Sequence, residues 1–469
     1  MLIRSFFTNS SGILVSRIFG FIRDMLTASI LGANIYSDIF FVAFKFPNLF
    51  RRVVSEGAFT QSFMPSFAKA RLKSLFTISI LLRFLAVIAF ITLIVHLFSG
   101  FFTKLIALGF DEATIKLAAP LTAINFYYLV LIFLVTFLGS ILQYKHHFAT
   151  TAFSTVLLNI AMIVALLISK DMDKQSIAYA LSYGVVVGGV LQLLAHILAI
   201  KSKKLCKFFA TGIKLYLQNK KDIQEDKKRF YTSFFHSLVG GSTAQILSFV
   251  DTWLASFLIT GSISYLYYAN RIFQLPLAIF AIAVATAIFP KITRLLKNSD
   301  DINALRLMNN SFWLLAFGLC ASSAGGIILS EEIIKLLFER GSFSASDTQT
   351  CAYVLSMYLV GLVPFGLAKL FSLWLYGQYR QKEAAKISIY SLVFNIFASI
   401  LLMQPLGASG LALAGSLSGV LLFILTIRSF GTKAFLDILI DKKLIFLLIT
   451  LVLEVAILLW LKELFHGYF

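Results

Sequence analysis

The chain has 469 residues, of which 59% are hydrophobic, 15% aromatic and only 13% charged. Soluble domains run near about 45–50% apolar and about 25% charged, so a soluble enzyme and a disordered chain are both excluded. Forty-one Lys and Arg against 22 Asp and Glu leave a net charge of +19. On a membrane protein that charge reads first as topology, before nucleic-acid binding.

Apolar segments fall at 10–32, 36–60, 76–100, 118–142, 148–169, 176–200, 232–260, 264–289, 310–329, 350–377, 384–403, 408–428 and 444–462. A spanning helix needs about 20 such residues. The chain is therefore predicted to be an all-α polytopic membrane protein with 13 spans. The short alternating strands of an outer-membrane barrel do not occur. Sorted by alternate sides, 28 Lys and Arg fall in the loops of one side and 7 in those of the other. The richer side, which holds the N-terminus, is cytoplasmic. With 13 spans the C-terminus lies outside. The first apolar stretch carries Arg17, Arg23 and Asp24, so it is no cleavable signal.

The segment 201–229 contains ten Lys and Arg and divides the chain. The predicted domains are an N-terminal lobe over 1–200 (spans 1–6) and a basic cytoplasmic linker or interfacial helix over 201–230. A C-terminal lobe follows over 231–430 (spans 7–12), then an extension over 431–469 with span 13. Gly32 precedes Pro47 by 15 residues, and Gly261 precedes Pro276 by 15. Later prolines, Pro65 and Pro290, follow in each half. Such parallel repeats imply two lobes related by an axis along the membrane normal.

Cys206, Cys320 and Cys351 are scattered, the six histidines include no HExxH, and no Walker loop or dinucleotide fingerprint occurs. The reading is a protein that is not an enzyme and needs no organic cofactor.

Six cations fall inside or at the edges of spans: Arg17, Arg23, Lys45, Arg83, Arg271 and Lys369. A cation in the bilayer core costs several kcal/mol and is as a rule paired or functional. Arg17 and Asp24, seven apart, share a helix face, and Arg23 falls about 120° from Arg17. Arg23–Asp24 and Arg52–Glu56 also have the spacing of local ion pairs. Arg271, in Tyr267-Tyr268-Ala269-Asn270-Arg271, has no acid within a helical turn. Guanidinium binds phosphate and carboxylate through paired hydrogen bonds. Arg17, Arg23 and Arg271 converging between two lobes would make a cationic cavity for an anion with a bulky body. Lys369 sits mid-span, to bind a carbonyl or a substrate group or to serve the fold. Asp251 and Asn395, with backbone carbonyls, are candidate ligands of a small hard cation. The alternative makes Asp251 a counter-charge to Arg271 or Lys369. Glu454 faces either the cavity or another subunit.

The same residues carry a resemblance. Ser16-Arg17-Ile-Phe-Gly-Phe-Ile-Arg23-Asp24, the run Ser37-Asp38-Ile-Phe-Phe-Val-Ala-Phe-Lys45-Phe-Pro47-Asn48-Leu-Phe-Arg51-Arg52 and Glu56-Gly57-Ala58-Phe59 closely resemble the MurJ/MviN family of the MOP exporter superfamily. So do Tyr267-Tyr268-Ala-Asn-Arg271, Gly188-Gly189-Val-Leu-Gln192 and Gly407-Ala-Ser-Gly410, in order over nearly the whole chain. The resemblance implies a MATE-like bundle of two six-helix lobes with a C-terminal extension. It also implies a flippase that carries lipid II, the undecaprenyl-pyrophosphate-linked peptidoglycan precursor, from inner to outer leaflet by alternating access. Its setting would be the bacterial inner membrane, among phospholipids and beside the cell-wall synthesis machinery. Carried over by motif, the substrate-binding residues are Arg17, Arg23, Arg51 or Arg52, and Arg271. Ser16, Asp24, Asp38, Glu56 and Lys369 stand as gating or conformational partners, and Asp251 and Asn395 as a sodium site. Coupling would then be to sodium or to membrane potential.

The chain departs from the family at three places. Asn270 stands where members have Asp, 13 spans stand for 14, and Ser399 and Gly415 are weak cation ligands. Three other readings compete. A MATE-like cation-coupled drug exporter would need an acidic cavity, whereas this one is basic. An O-antigen or capsule lipid-oligosaccharide flippase would share the cations and is separated only by the span 1–2 motif. A non-transporting scaffold holding anionic lipid through 201–229 is separated by a transport assay.

Overall fold

The computed structural model describes residues 2–51, 58–218, 223–241 and 243–465. Among them every regular element is helical, and no strand occurs. Contacts divide the chain into two compact units, Met1–Phe257 and Leu258–Phe469.

The first unit contains α1 (Leu2–Leu31), α2 (Ile35–Phe50), α3 (Thr60–Lys69), α4 (Lys73–Leu97), α5 (Ser99–Ile106) and α6 (Glu112–Tyr144). It continues through α7 (Ala149–Ser169), α8 (Lys174–Ser202), α9 (Cys206–Gln218), α10 (Gln224–Gly241) and α11 (Thr243–Ala255). α7 lies between α1 and α8, and α6 packs on α8, α2 and α4. Lipid tails are as apolar as leucine, so the helices are held by close approach and interior hydrogen bonds. At the α1–α7 crossing a Cβ on Gly12 would stand 2.6 Å from Ala152 Cβ and 2.8 Å from its carbonyl carbon. Gly12→Val is therefore expected to cost about 1–3 kcal/mol by overpacking, read as a lowered thermal midpoint of the detergent-solubilised protein.

Between α6 and α8, Asn125 Nδ2 donates to Ser182 Oγ at 2.9 Å and Tyr128 donates to Gln192 Oε1 at 3.3 Å. Gln192 in turn donates to the Ser154 carbonyl of α7 at 3.0 Å. The cytoplasmic end holds an aromatic cluster in which Phe59, Phe63, Phe133, Phe137 and Phe230 are all fully buried. On the opposite side Asp111 and Asp173 cap α6 and α8. Hydrogen bonds from Thr114 and Ser176 hold both carboxyls below the usual carboxylate range.

The first unit runs past the expected lobe boundary at residue 230. The reason is apolar. Phe208, Phe209 and Leu215 of α9 and Phe230 and Phe234 of α10 join the aromatic cluster, and Ser233 and Ser237 of α10 share hydroxyl bonds with Ser62 of α3.

The second unit contains α12 (Ser262–Pro276), a π-helical turn (Leu277–Ile282), α13 (Ala283–Lys297), α14 (Asp301–Ile328) and α15 (Ser330–Phe338). Then follow α16 (Ala345–Val360), α17 (Leu362–Gly377), α18 (Gln381–Phe430), α19 (Thr432–Leu439) and α20 (Lys442–Phe465). The span expected over 350–377 bends at Gly361. There the Ser416 hydroxyl donates to the carbonyls of Met357 and Tyr358 at 2.5 and 3.2 Å, so the freed backbone is satisfied.

α18 contains two spans. Gly407 has φ 58° and ψ −134°, and Ser391 Oγ donates to the Ser418 carbonyl at 2.8 Å across 27 residues. Unbroken helix would part those atoms by about 40 Å, so the chain reverses at Gly407, between the predicted spans 384–403 and 408–428. α20 packs mainly on α14 and is tied by Lys462, which pairs with Glu332 at 3.0 Å. Its other faces, with Phe446, Val452 and Trp460, are exposed as a lipid-facing helix requires.

Nine helices among the described residues are long and apolar enough to cross a membrane. Of the three remaining predicted spans, 10–32 lies in α1, 36–60 contains all of α2 but its first residue, and 232–260 contains the end of α10 and all of α11. They carry Arg17, Arg23, Asp24, Asp38, Lys45 and Asp251. The predicted repeat has a backbone counterpart. Gly32 and Gly261 both have positive φ (84° and 93°), each before a helix that contains its proline. π-helical winding follows at Arg51 and at Leu277–Ile282.

Candidate functional site

In the first unit the candidate residues lie on α1 and α2. Arg17 is exposed and, among the described residues, makes no ion pair or hydrogen bond. Arg23, six residues on, turns into the seam with α7 and is only 6% exposed. Its Nη2 lies 2.6 Å from Asp24 Oδ1 and its Nε 3.1 Å from the same oxygen. Its Nη1 donates to Asn159 Oδ1 at 3.1 Å, and Asn159 Nδ2 donates to the Ser16 carbonyl at 3.2 Å. Arg23 therefore sits in the local ion pair that its spacing from Asp24 allowed, with an amide clamp from α7, and not beside Arg17.

α2 begins in a reciprocal cap. Asn34 Oδ1 accepts from Tyr36 and Ser37 N–H at 2.9 and 3.4 Å, and Ser37 Oγ accepts from Asn34 N–H at 2.8 Å. Asp38, in the first turn, is buried, where the positive end of the helix dipole favours a carboxylate. Lys45 is half-buried two turns on and acts electrostatically on Asp251 of α11. Asp251 Oδ1 accepts no hydrogen bond among the described residues. Lys45 is thus the cation the first unit offers Asp251. Arg51 donates to Asn48 Oδ1 at 2.9 Å from the end of α2. Arg52 and Glu56 lie outside the described residues.

In the second unit Arg271 stacks on the Tyr267 ring, with Cζ 4.9 Å from its centroid, and donates to the Tyr267 hydroxyl at 2.7 Å. This holds the guanidinium by a cation–π contact and one neutral acceptor. Asn270 instead accepts from Gln274, so the residue that departs from the family pattern bonds along its own helix. Lys369 is exposed on α17. Glu454 lies against α14, its Oε1 3.2 Å from where a Gly325 Cβ would stand, which places it at a helix seam within the unit.

Asn395 and Ser399 are fully buried. Neither amide atom of Asn395 nor the Ser399 hydroxyl has a hydrogen-bond partner among the described residues. Buried polar atoms are costly when unpaired, and two neutral oxygens so placed suit a hard cation. Gly415 adds no side chain there, and Asp251 belongs to the first unit. Among the described residues no three His, Cys, Asp or Glu cluster as a metal site. Asn159 is the site residue that sequence reasoning passed over. Its signal was an amide inside the apolar run 148–169.

The family model described as lipid II flippase MurJ matches residues 27–469. A Helicobacter pylori (strain J99) protein named "Probable lipid II flippase MurJ" is 50% identical over 94% of this chain and 99% of its own length. A Rhizobium tropici protein of the same name is 32% identical over 89% of this chain and 79% of its own. The solved structure of lipid II flippase MurJ in an inward closed conformation aligns over 98% of this chain and 99% of its own, at 25% identity and TM-score 0.77. An inward-facing multidrug resistance MATE family transporter of the MOP superfamily shares the fold, at 15% identity and TM-score 0.68 over 89% of this chain and 94% of its own. The all-helical two-unit architecture and the arginine-bearing first helix pair thus have one source: the chain belongs to the lipid II flippase MurJ family.

Proposed function

We propose that the chain is a lipid II flippase of the bacterial inner membrane, moving the undecaprenyl-pyrophosphate-linked precursor from inner to outer leaflet. Family membership over almost the whole chain carries this reading. The protein moves its substrate and makes no change in its bonds. Arg17 and Arg271 bind the pyrophosphate by charge-assisted hydrogen bonds, and Arg51 or Arg52 meets the headgroup at the cytoplasmic end. Arg23 and Asp24, clamped by Asn159, hold α1 straight behind Arg17. Asp38, Glu56, Ser16 and Lys369 take part in switching between inward-open and outward-open states. The prenyl tail stays among the phospholipids, and the product is handed to cell-wall synthesis enzymes on the outer face.

Return of the empty, net-positive site is favoured by an inside-negative potential. A sodium ion would be held within the second unit by the buried, unpartnered oxygens of Asn395 and Ser399.

The test is lipid II translocation by the purified protein in liposomes. Accessibility of the headgroup at the outer surface should rise above that of protein-free vesicles and rise faster with an inside-negative potential. Translocation no faster than in protein-free vesicles overturns the flippase assignment. A rate indifferent to both sodium and potential overturns the coupling alone.

A further inference from the structure

The cytoplasmic rim of the first unit carries a surface that this transport cycle leaves unused. α9 lies along the first turns of α4. A Cβ on Gly212 would stand 2.5 Å from the Ser74 carbonyl oxygen and 2.7 Å from Ile78 Cγ1. Only glycine permits that approach, so α9 is held at the level where α4 enters the membrane.

At about 100° per residue, α9 has three sectors. Phe208, Gly212 and Leu215 face the protein, where the Phe208 ring meets Phe67 at 6.1 Å between centroids. Cys206, Ala210, Ile213 and Leu217 form a second sector that is left exposed, Leu217 to 77%. Lys207, Thr211, Lys214 and Gln218 form the third, also exposed. An apolar stripe beside a lysine stripe, on a helix fixed at the end of a span, matches a helix lying in the bilayer interface.

The charge here has one sign. Lys201, Lys203 and Lys204 lead into α9 and are exposed, and no Asp or Glu occurs between Asp173 and Asp222. Among the described residues none of these five lysines makes an ion pair. The next acids, Glu225 and Asp226, are taken by Arg229 at 3.8 and 3.7 Å. Among the described residues, then, no acid of the chain neutralises these lysines, and the surface suits an anion from outside it. That anion must also suit a neighbouring exposed apolar stripe, which a soluble acidic partner would leave in water. We propose that α9 is a docking surface for anionic phospholipid headgroups of the cytoplasmic leaflet. The attraction acts within a Debye length and is weakened by salt.

The test uses the full-length chain carrying Cys320→Ser. Cys206 is exposed and Cys351 fully buried, so Cys206 takes an environment-sensitive fluorophore selectively. The labelled protein is placed in phosphatidylcholine nanodiscs containing equal fractions of headgroup spin-labelled phosphatidylglycerol or phosphatidylcholine. Quenching by the phosphatidylglycerol label should exceed the other by about threefold or more, and should approach equality in high salt. The variant K207Q/K214Q, which keeps the three preceding lysines for topology, should lose most of the preference. Equal quenching in the parent protein overturns the proposal and leaves the lysines as topology anchors. So does protection of Cys206 by soluble polyglutamate without any lipid preference, which would assign the surface to a protein partner. A preference that survives both high salt and K207Q/K214Q overturns it as well. The readout does not depend on transport, so its failure and that of the flippase reading are separable.

Discussion

Asp24→Ala, with Arg23 left in place, is expected to destabilise the first unit by about 3–5 kcal/mol, because one charge of a buried pair is left without its partner. The pair is closed at 2.6 Å, with side-chain exposures of 7% and 2%. Arg23→Ala should cost a similar amount by stranding Asp24. Asn159→Ala should cost less, about 1–3 kcal/mol, since it removes only an acceptor for Arg23 and a donor to the Ser16 carbonyl. Replacing Arg23 and Asp24 together by leucine removes both desolvated charges, so the double variant should be more stable than either single one. Thermal unfolding of the solubilised protein, followed by size-exclusion fluorescence, gives the four midpoints. If Asp24→Ala melts with the parent, the charge at Arg23 is hydrated and the structural role fails.

Arg17→Ala and Arg271→Ala should do the reverse, leaving stability within about 0.5 kcal/mol for Arg17 while removing transport. Arg17 is exposed and unpaired among the described residues, so no described contact depends on its charge. Arg271 loses one hydrogen bond and one ring contact to Tyr267. For an oxyanion each guanidinium contact carries about 1.5–3 kcal/mol, which is about a 10- to 150-fold loss per arginine. Arg17→Lys should keep part of the activity, because an ammonium supplies a point charge without the paired geometry. Translocation rates in liposomes, set beside the melting midpoints, separate the two classes of arginine. Full activity of both alanine variants would remove the cationic-site mechanism.

Much of the architecture was legible because a bilayer leaves few solutions. Backbone groups in lipid must be satisfied within the helix, so each span shows as an apolar run. The predicted spans at 76–100, 118–142, 148–169 and 176–200 correspond to α4, α6, α7 and α8. The short amphipathic helices α5, α15 and α19 were not legible. Each is too short for a clear period, and each is held by the core it covers, as Phe435 of α19 is held against Phe312, Phe371 and Phe423.

The intramembrane arginines could be read from the sequence, but their separate roles could not. Arg17 and Arg23 look alike in one dimension, both flanked by apolar residues on one helix. What distinguishes them is Asn159, 136 residues beyond Arg23 in the chain, and the close α1–α7 crossing that brings it there.

By itself the sequence determined the all-helical membrane class, the order of the long apolar helices and the few cations the bilayer would have to accommodate. These depend on hydropathy and charge, which are local sums along the chain. Only the tertiary structure decided which of those cations is neutralised within the fold, where the chain reverses at Gly407, and that the basic segment after α8 lies along α4. Those outcomes depend on which distant side chains share a buried seam, and burial is a property of the packed helices together.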